Sequence, residues 1–361
     1  MRRLLGVVSA LVLIAGVVVL IWRPWCCGSP PLPPQTVLTG LVGSEKSAFF
    51  ADPRVQAELR ARGLTVQVVP AGSLEMTPTD DKKDDFVFPS SSVVADSIPG
   101  DLNPVPVRPF YSPLVIVARQ DTAALLAQNG LATRSASGVW TFRMTAYLQA
   151  LNAQTTWQSL QGAAQHPSLT GLLYVTTTDP ASSSSGALHL AVMSYLANGD
   201  TVVADQAGVD RTRSLLRHLT EIQGAQLPSS DGPFRNFLSG VGNPLVWVYE
   251  SQVAAAAEAG QLPGDTVLLY PDTTFLSDHT VVELTPNAHR LADALENDPK
   301  LQQLEAANGF RPAGDPTAFG KAMATTRTTG FAPDLTAAGV AQVAIPAPPV
   351  MQQLIAAAKG N

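Results

Sequence analysis

Only two cysteines occur in the 361 residues, Cys26 and Cys27, and they are adjacent. The chain beyond them therefore has no disulfide framework, no thiolate metal site and no cysteine nucleophile. Charge is also scarce, at 14% of residues, and past residue 35 only 20 basic side chains face 29 acidic ones. That balance excludes a nucleic-acid partner, which needs clustered positive charge against phosphates. It equally excludes attachment of the folded part to an anionic membrane surface. No Gly-x-Ser-x-Gly elbow, His-Glu-x-x-His pair, Gly-x-x-x-x-Gly-Lys loop, Gly-x-Gly-x-x-Gly fingerprint or Asp-x-Ser-x-Ser metal motif is present. The five histidines are scattered, and His279 with Glu283 reads as a surface contact on one strand face. Asp80, Asp81, Asp84 and Asp85 surround Lys82 and Lys83 as a solvated turn. No catalytic residue, metal or cofactor is assigned.

What is present is apolar. Hydrophobic residues make up 45% of the chain, which excludes disorder and suffices for one large core or two smaller ones. Leu4 to Trp22 is a run of 19 residues without charge. At about 1.5 Å per residue, a helix of that length nearly spans a hydrocarbon layer of roughly 30 Å. Arg2 and Arg3 precede the run and, by the positive-inside rule, send the remainder outside. The expectation is a single-pass membrane anchor over 1–27 with an extracytoplasmic C-terminal domain. A cleaved signal peptide is the rival, but its apolar region is usually shorter and no small-x-small site follows here. A Pro-rich spacer over 28–35 comes next, with Pro31, Pro33 and Pro34.

From Thr36 onward strand-like runs alternate with helical patterns: TVLTGLV, a helix over Asp52 to Arg62, LTVQVVP and DFVFPSS. Such alternation predicts an α/β fold with helices flanking parallel sheets. The four prolines of IPGDLNPVPVRPFY and the buried strand YSPLVIVAR mark a crossing into a second α/β unit. That unit reads as helices at Thr122 to Asn129 and Phe142 to Leu151, a strand at Gly171 to Thr177, and a strand at Pro244 to Tyr249 leading into helix Gln252 to Glu258. DTVLLYPDTTFLSDHTVVEL carries the chain back, and helices at Pro286 to Asn308 and Val350 to Lys359 complete it. The pattern predicts two lobes joined by a two-strand hinge, 36–110 plus 278–361 and 111–277. Each lobe should have its own core, with no continuous sheet through both.

Four loops sit where a strand end meets a helix start: Gly43, Ser44, Glu45 and Lys46; Ser90, Ser91 and Ser92; Ser183, Ser184, Ser185 and Gly186; and Glu250 with Ser251. Loops at the carboxyl ends of strands converge on ligands in open α/β sheets, and helix N-termini offer unpaired N–H donors. A serine at a helix start is also an ordinary N-cap. Ser-rich helix starts favour an oxyanion, whereas Glu45 and Glu250 favour a zwitterion or cation, with Lys46 as partner for a carboxylate.

The stretches GSEKSAFFADPRVQAELRARGLTVQVVPAGS (Gly43 to Ser73), DFVFPSS (Asp85 to Ser91), TDPASSSSG (Thr178 to Gly186), YES (Tyr249 to Ser251), LLYPDTTFLSDHTVVEL (Leu268 to Leu284) and NGFRP (Asn308 to Pro312) occur in a characteristic order. In that order the chain resembles bacterial extracellular solute-binding proteins of the type II periplasmic-binding fold, the group of molybdate-, sulfate- and phosphate-type receptors. The resemblance implies a small polar ligand held in a cleft between the lobes and an ABC-type permease as partner. Two features depart from the pattern. The anchor resembles an uncleaved helix, and Pro24 and Trp25 stand where a lipidated cysteine needs small residues before it. A membrane-anchored sensor or assembly protein with a degenerate cleft on the same scaffold is the alternative.

Overall fold

A computed structural model describes residues 33–76, 84–103, 105–324, 326 and 330–360. The expected anchor over 1–27, most of the 28–35 spacer and the Asp80–Lys83 part of the charged turn lie outside the described residues. Among the described residues no helix is long and apolar enough to cross a membrane.

Twelve strands are described. They are β1 (Thr36–Gly43), β2 (Leu64–Ala71), β3 (Phe86–Phe88), β4 (Val107–Arg119), β5 (Ala132–Arg134), β6 (Trp140–Phe142), β7 (Val246–Tyr249), β8 (Thr266–Pro271), β9 (Thr273–Thr274), β10 (Leu276–Glu283), β11 (Arg311–Pro312) and β12 (Ala341–Gln342). Strand β1 is parallel to both β2 and β3, and β10 closes that group antiparallel to β3. The second group has β7 and β8 antiparallel to β4, β6 parallel to β8, and β5 at the edge.

Strand β4 belongs to both groups. Its first part, Val107 to Pro113, pairs with β10 and β11, whereas Leu114 to Arg119 pairs with β7 and β8. Hydrogen bonding therefore runs without interruption in the order β2-β1-β3-β10-β4-β8-β6-β5. This corrects the expectation of separate sheets. The separation lies in side-chain packing instead. In the second group Leu114, Ile116 and Ala118 enter one cluster while Val115 and Val117 enter another on the opposite face, the period-two alternation of a strand buried on both sides. In the first group Leu38, Val42, Phe86 and Phe88 face one cluster, and Leu41 and Val87 the other. Leu74 packs against a cluster of each group.

Local chemistry sets the helix boundaries. Asp52 accepts from the Arg54 N–H and Pro53 supplies the first position of helix Pro53–Ala61. The expected single helix from Pro286 to Asn308 is two, Ala288–Asn297 and Pro299–Ala307. Pro299 disfavours helical backbone at Asp298, which sits at φ −85° and ψ 114° and caps the second helix. The expected strand over Gly171 to Thr177 forms only isolated bridges at Leu172 and Thr176. Its N–H groups go elsewhere: Leu173 to the Thr155 carbonyl at 2.8 Å, Val175 to the Tyr147 hydroxyl at 2.9 Å and Thr177 to Gln223 Oε1 at 2.7 Å.

The C-terminal region also differs from expectation. The return through β10 predicts all of 278–361 in the first lobe. Yet Phe319, Met323, Phe331 and Ala332 pack with Val115, Val117 and Phe234 of the second group. Helix Pro348–Lys359 buries Val350, Met351, Leu354, Ala357 and Ala358, an apolar stripe at helical spacing, against helices Ser184–Ala197 and Gln206–Glu221.

Helix Pro299–Ala307 holds a carboxyl with no partner. Both oxygens of the buried Glu305 lack a hydrogen bond, and burial raises its pKa well above the usual carboxylate value. A folded-state pKa above the unfolded one makes stability fall as pH rises past about 4.3, where the unfolded side chain ionises. Glu305→Gln should therefore raise stability at pH 7 by on the order of 1 kcal/mol, the scale of one uncompensated buried polar group, and gain less at pH 4.5. Urea unfolding of both proteins at the two pH values checks this; an equal effect at both would contradict it.

Candidate functional site

Strand β1 ends at Gly43, and the chain turns immediately through the 3-10 segment Ser44–Lys46. Glycine is required at 43 by close approach. A Cβ there would press on the Glu45 carboxylate and lie 2.6 Å from Ser90 Oγ. The turn directs two charged side chains inward, and Lys46 and Glu45 form a buried ion pair.

Three neighbours complete that pair. Ser90, just after β3, donates its hydroxyl to Glu45 Oε1 at 2.6 Å. His279 on β10 places Nδ1 2.9 Å from Lys46 Nζ and 3.4 Å from Glu45 Oε1. The Lys46 ammonium lies 4.8 Å from the centre of the Phe88 ring. Rings enclose His279, with Phe110 and Phe310 at 5.3 Å and Tyr249 at 5.8 Å between centroids.

The electrostatics follow from burial and these partners. Burial alone would raise the Glu45 pKa, but the Lys46 charge and the His279 hydrogen bond hold it well below the carboxylate range. Burial lowers the Lys46 pKa against the opposing charge of Glu45. Burial together with the Lys46 charge brings His279 down to about 4, so its imidazole is neutral at pH 7.

Residues of the second strand group close over this cluster. The Tyr249 hydroxyl at the end of β7 meets Ser90 and Ser277, and burial, reinforced by the Glu45 charge, raises its pKa. Asp231 accepts from Gln252 Nε2 at 2.5 Å and from the Ser44 hydroxyl. Its pKa is raised by burial, with Gln252 opposing and Glu45 adding to the rise. The Leu74 N–H donates to the Ser182 carbonyl at 3.3 Å, and a Cβ on Gly72 would stand 2.6 Å from that same oxygen. The two groups are thus shut against each other along a polar seam.

The sequence-predicted residues divide among several roles. Gly43, Ser44, Glu45, Lys46 and Ser90 are gathered at the seam. Ser91 caps helix Ser92–Ala95, accepting from the Val93 N–H at 3.3 Å, and also lines a small pocket together with Ser184. Ser183 does not cap helix Ser184–Ala197; its hydroxyl meets Ser185 Oγ at 3.0 Å, and Ser185 meets Thr178 Oγ1 at 2.8 Å. Gly186 serves packing, since a Cβ there would run into the Thr178 carbonyl and come within 3.0 Å of Pro180 N.

Glu250 and Ser251 are not at the Glu45 cluster. Arg311 grips Glu250 with two hydrogen bonds of 2.7 and 2.8 Å, and Tyr270 donates its hydroxyl to the same carboxylate. Arg311 also donates to the Ala332 carbonyl at 2.5 Å and lies 4.0 Å from the Phe319 ring centre. Glu250 therefore joins the start of its helix to β11 as a structural brace. The Ser251 N–H donates to Ser112 Oγ at 3.1 Å.

His279 is corrected from a surface contact to a fully buried member of the cluster, while Glu283 meets His289 Nδ1 at 3.2 Å. Asp231 gave no signal in the sequence as a site residue, and Tyr249 stood in the YES stretch without a role. Arg311 stood in the NGFRP stretch without a role. Among the described residues no group of three His, Cys, Asp or Glu side chains has the geometry for a metal ion.

No family model and no curated protein matches the chain. Solved structures do. A periplasmic thiamin binding protein superposes with a TM-score of 0.54 at 15% identity over 91% of this chain and 98% of its own. An ABC transporter solute-binding protein from Thermotoga lettingae TMO, bound with α-D-tagatose, gives 0.52 at 12% over 90% and 94%. The sulfate-binding protein of Mycobacterium tuberculosis H37Rv gives 0.50 at 20% over 82% and 93%. The chain has the fold of the periplasmic solute-binding proteins. In that fold, Glu45, Lys46, Ser90 and His279 sit where the two strand groups face each other.

Removing one partner from the buried pair should be costly. Glu45→Gln is expected to lose about 3 to 5 kcal/mol of stability by leaving the Lys46 ammonium uncompensated. Glu45→Leu combined with Lys46→Met should recover most of that loss, since both charges then disappear together. Denaturant midpoints of the single and double variants test this. A double variant as unstable as the single one would mean that the pair is not the stabilised unit.

Proposed function

We propose that this chain is an extracytoplasmic solute-binding protein that holds a small polar ligand between two lobes for an ABC-type importer, tethered to the membrane by its first 27 residues. The observation that carries the reading is the gathering of Glu45, Lys46 and Ser90, just past the ends of β1 and β3, around His279 of β10, in the seam of a fold whose solved examples bind small solutes. In this reading the lobes are 36–110 with the β10 and β11 region, and 111–277 with the C-terminal helix. Strand β4 and the Pro271 to Leu276 passage serve as the hinge. Ligand would take the Ser184 hydroxyl and backbone donors near Ser44 and Ser90, with the chain acting as a binder and not as a catalyst.

One observation favours the second reading, a sensor or assembly protein with a degenerate cleft. Glu45 is already satisfied by Lys46 and Ser90, and Glu250 by Arg311 and Tyr270, so the charged groups complete one another without a solute.

A thermal-shift screen of the full chain in detergent separates the two, using sulfate, molybdate, thiamine, amino acids and ketohexoses. A solute at about 100 times its Kd should add roughly 2.7 kcal/mol, a shift of several degrees for a protein of this size. Silence across the panel would favour the degenerate cleft. Topology has its own test: a tag after Asn361 should be cut by protease on intact spheroplasts, whereas one before Met1 should be protected. Equal protection of both would refute the tether.

A further inference from the structure

Ser91 and Ser184, from opposite sides of the seam, line one small pocket to which the C-terminal helix adds Pro348, Met351, Gln352 and Ile355. The pocket measures about 50 Å³, and none of its twelve lining residues is charged. It therefore offers no counter-ion to an amine.

What it does offer is donors. Ser184 opens a 14-residue helix, and its hydroxyl is buried yet has no hydrogen-bond partner. The ordinary explanation of serines at a helix start fails at this end, because the Ser183 hydroxyl is turned to Ser185 and leaves the helix without a side-chain cap. The first N–H groups of a helix carry partial positive charge and accept anionic oxygens. Ser91 accepts from the Val93 N–H, so its own proton is left to donate. Leu74, Val94, Leu188, Met351 and Ile355 supply aliphatic wall; the other polar side chains are Ser97, whose hydroxyl donates to the Val93 carbonyl, and Gln352.

We propose that this pocket binds a short aliphatic carboxylate, its oxygens on the Ser184 and Ser91 hydroxyls and its alkyl end against Met351 and Ile355. The C-terminal helix then contributes directly to ligand selection. Size limits the class, because ligand pockets usually run from about 300 to 1,000 Å³ and this one accommodates only a few heavy atoms. The inference rests on the solute-binding reading and makes it specific.

Isothermal titration calorimetry on the full chain in detergent tests it with acetate, butyrate and isovalerate, with n-butylamine and sulfate as comparisons. Butyrate or isovalerate should bind more tightly than acetate, and butylamine should not bind. Ser184→Ala should weaken the carboxylate by about tenfold or more, as expected for a lost hydrogen bond to a charged group. Met351→Trp should abolish binding by filling the pocket, and Met351→Ala, a milder change, should relax the preference toward longer chains. Unchanged affinity in Ser184→Ala and both Met351 variants would overturn the pocket. Butylamine binding as well as butyrate would overturn the class. Sulfate or a solute of the thermal-shift panel binding while every carboxylate fails would overturn this inference and leave the solute-binding reading standing; silence here and across that panel would remove both.

Discussion

A lysine ammonium and a glutamate carboxylate buried side by side constrain everything around them. Taking two charges out of water costs several kcal/mol per ion, and mutual attraction offsets this only where geometry and further hydrogen bonds are complete. Around Glu45 and Lys46 that completion comes from three separate places in the chain: Ser90 after β3, His279 on β10 and the covering ring of Tyr249 at the end of β7. The first two belong to the strand group that contains the pair. The third belongs to the other group, so sealing the pair requires both groups to be in contact.

The fold meets this requirement through a single strand. Because β4 pairs with β10 in its first half and with β7 and β8 in its second, movement of one group relative to the other must be absorbed within β4, the passage from β8 to β10 and the passage from β11 to Phe319. Pro109 and Pro113 lie in its first half and donate no ladder hydrogen bonds. The side-chain cores on either side of this region are separate, so they can move as units while the backbone ladder stays joined. Polar contacts across the seam, Ser44 to Asp231, Leu74 N–H to Ser182 and Ser90 to Tyr249, stand beside two apolar ones, the Leu74 side chain and the Tyr249 ring on His279.

Much of the architecture was legible because strand and helix chemistry is local. The run YSPLVIVAR announced β4, and Asp-Pro at 52–53 announced a helix start. The turn Gly43 to Lys46 was found because a strand, a glycine and a helix start stand together in sequence. What was not legible depended on partners far away in the chain. Nothing near Glu250 indicates Arg311, 61 residues on, yet that pairing turns a candidate ligand contact into a brace. His279 looked like a surface group because its apparent neighbour on the strand was Glu283; the Lys46 that occupies it lies 233 residues away. The segment 171–177 has the composition of a strand, but side-chain and loop acceptors captured alternate N–H groups. The C-terminal helix carries a clear apolar stripe, and a stripe does not name the face it will cover.

The polar cluster of Glu45, Lys46 and His279 is sealed within a closed seam. Imidazole NMR signals of the full chain, followed from pH 7.5 to 3.5 with His279→Asn to assign the resonance, test it directly. A sealed cluster holds the His279 midpoint at about 4, since burial and the Lys46 ammonium both oppose protonation. A midpoint near 6.5, the value of a solvated imidazole, would mean that the seam stands open in solution and would contradict the account.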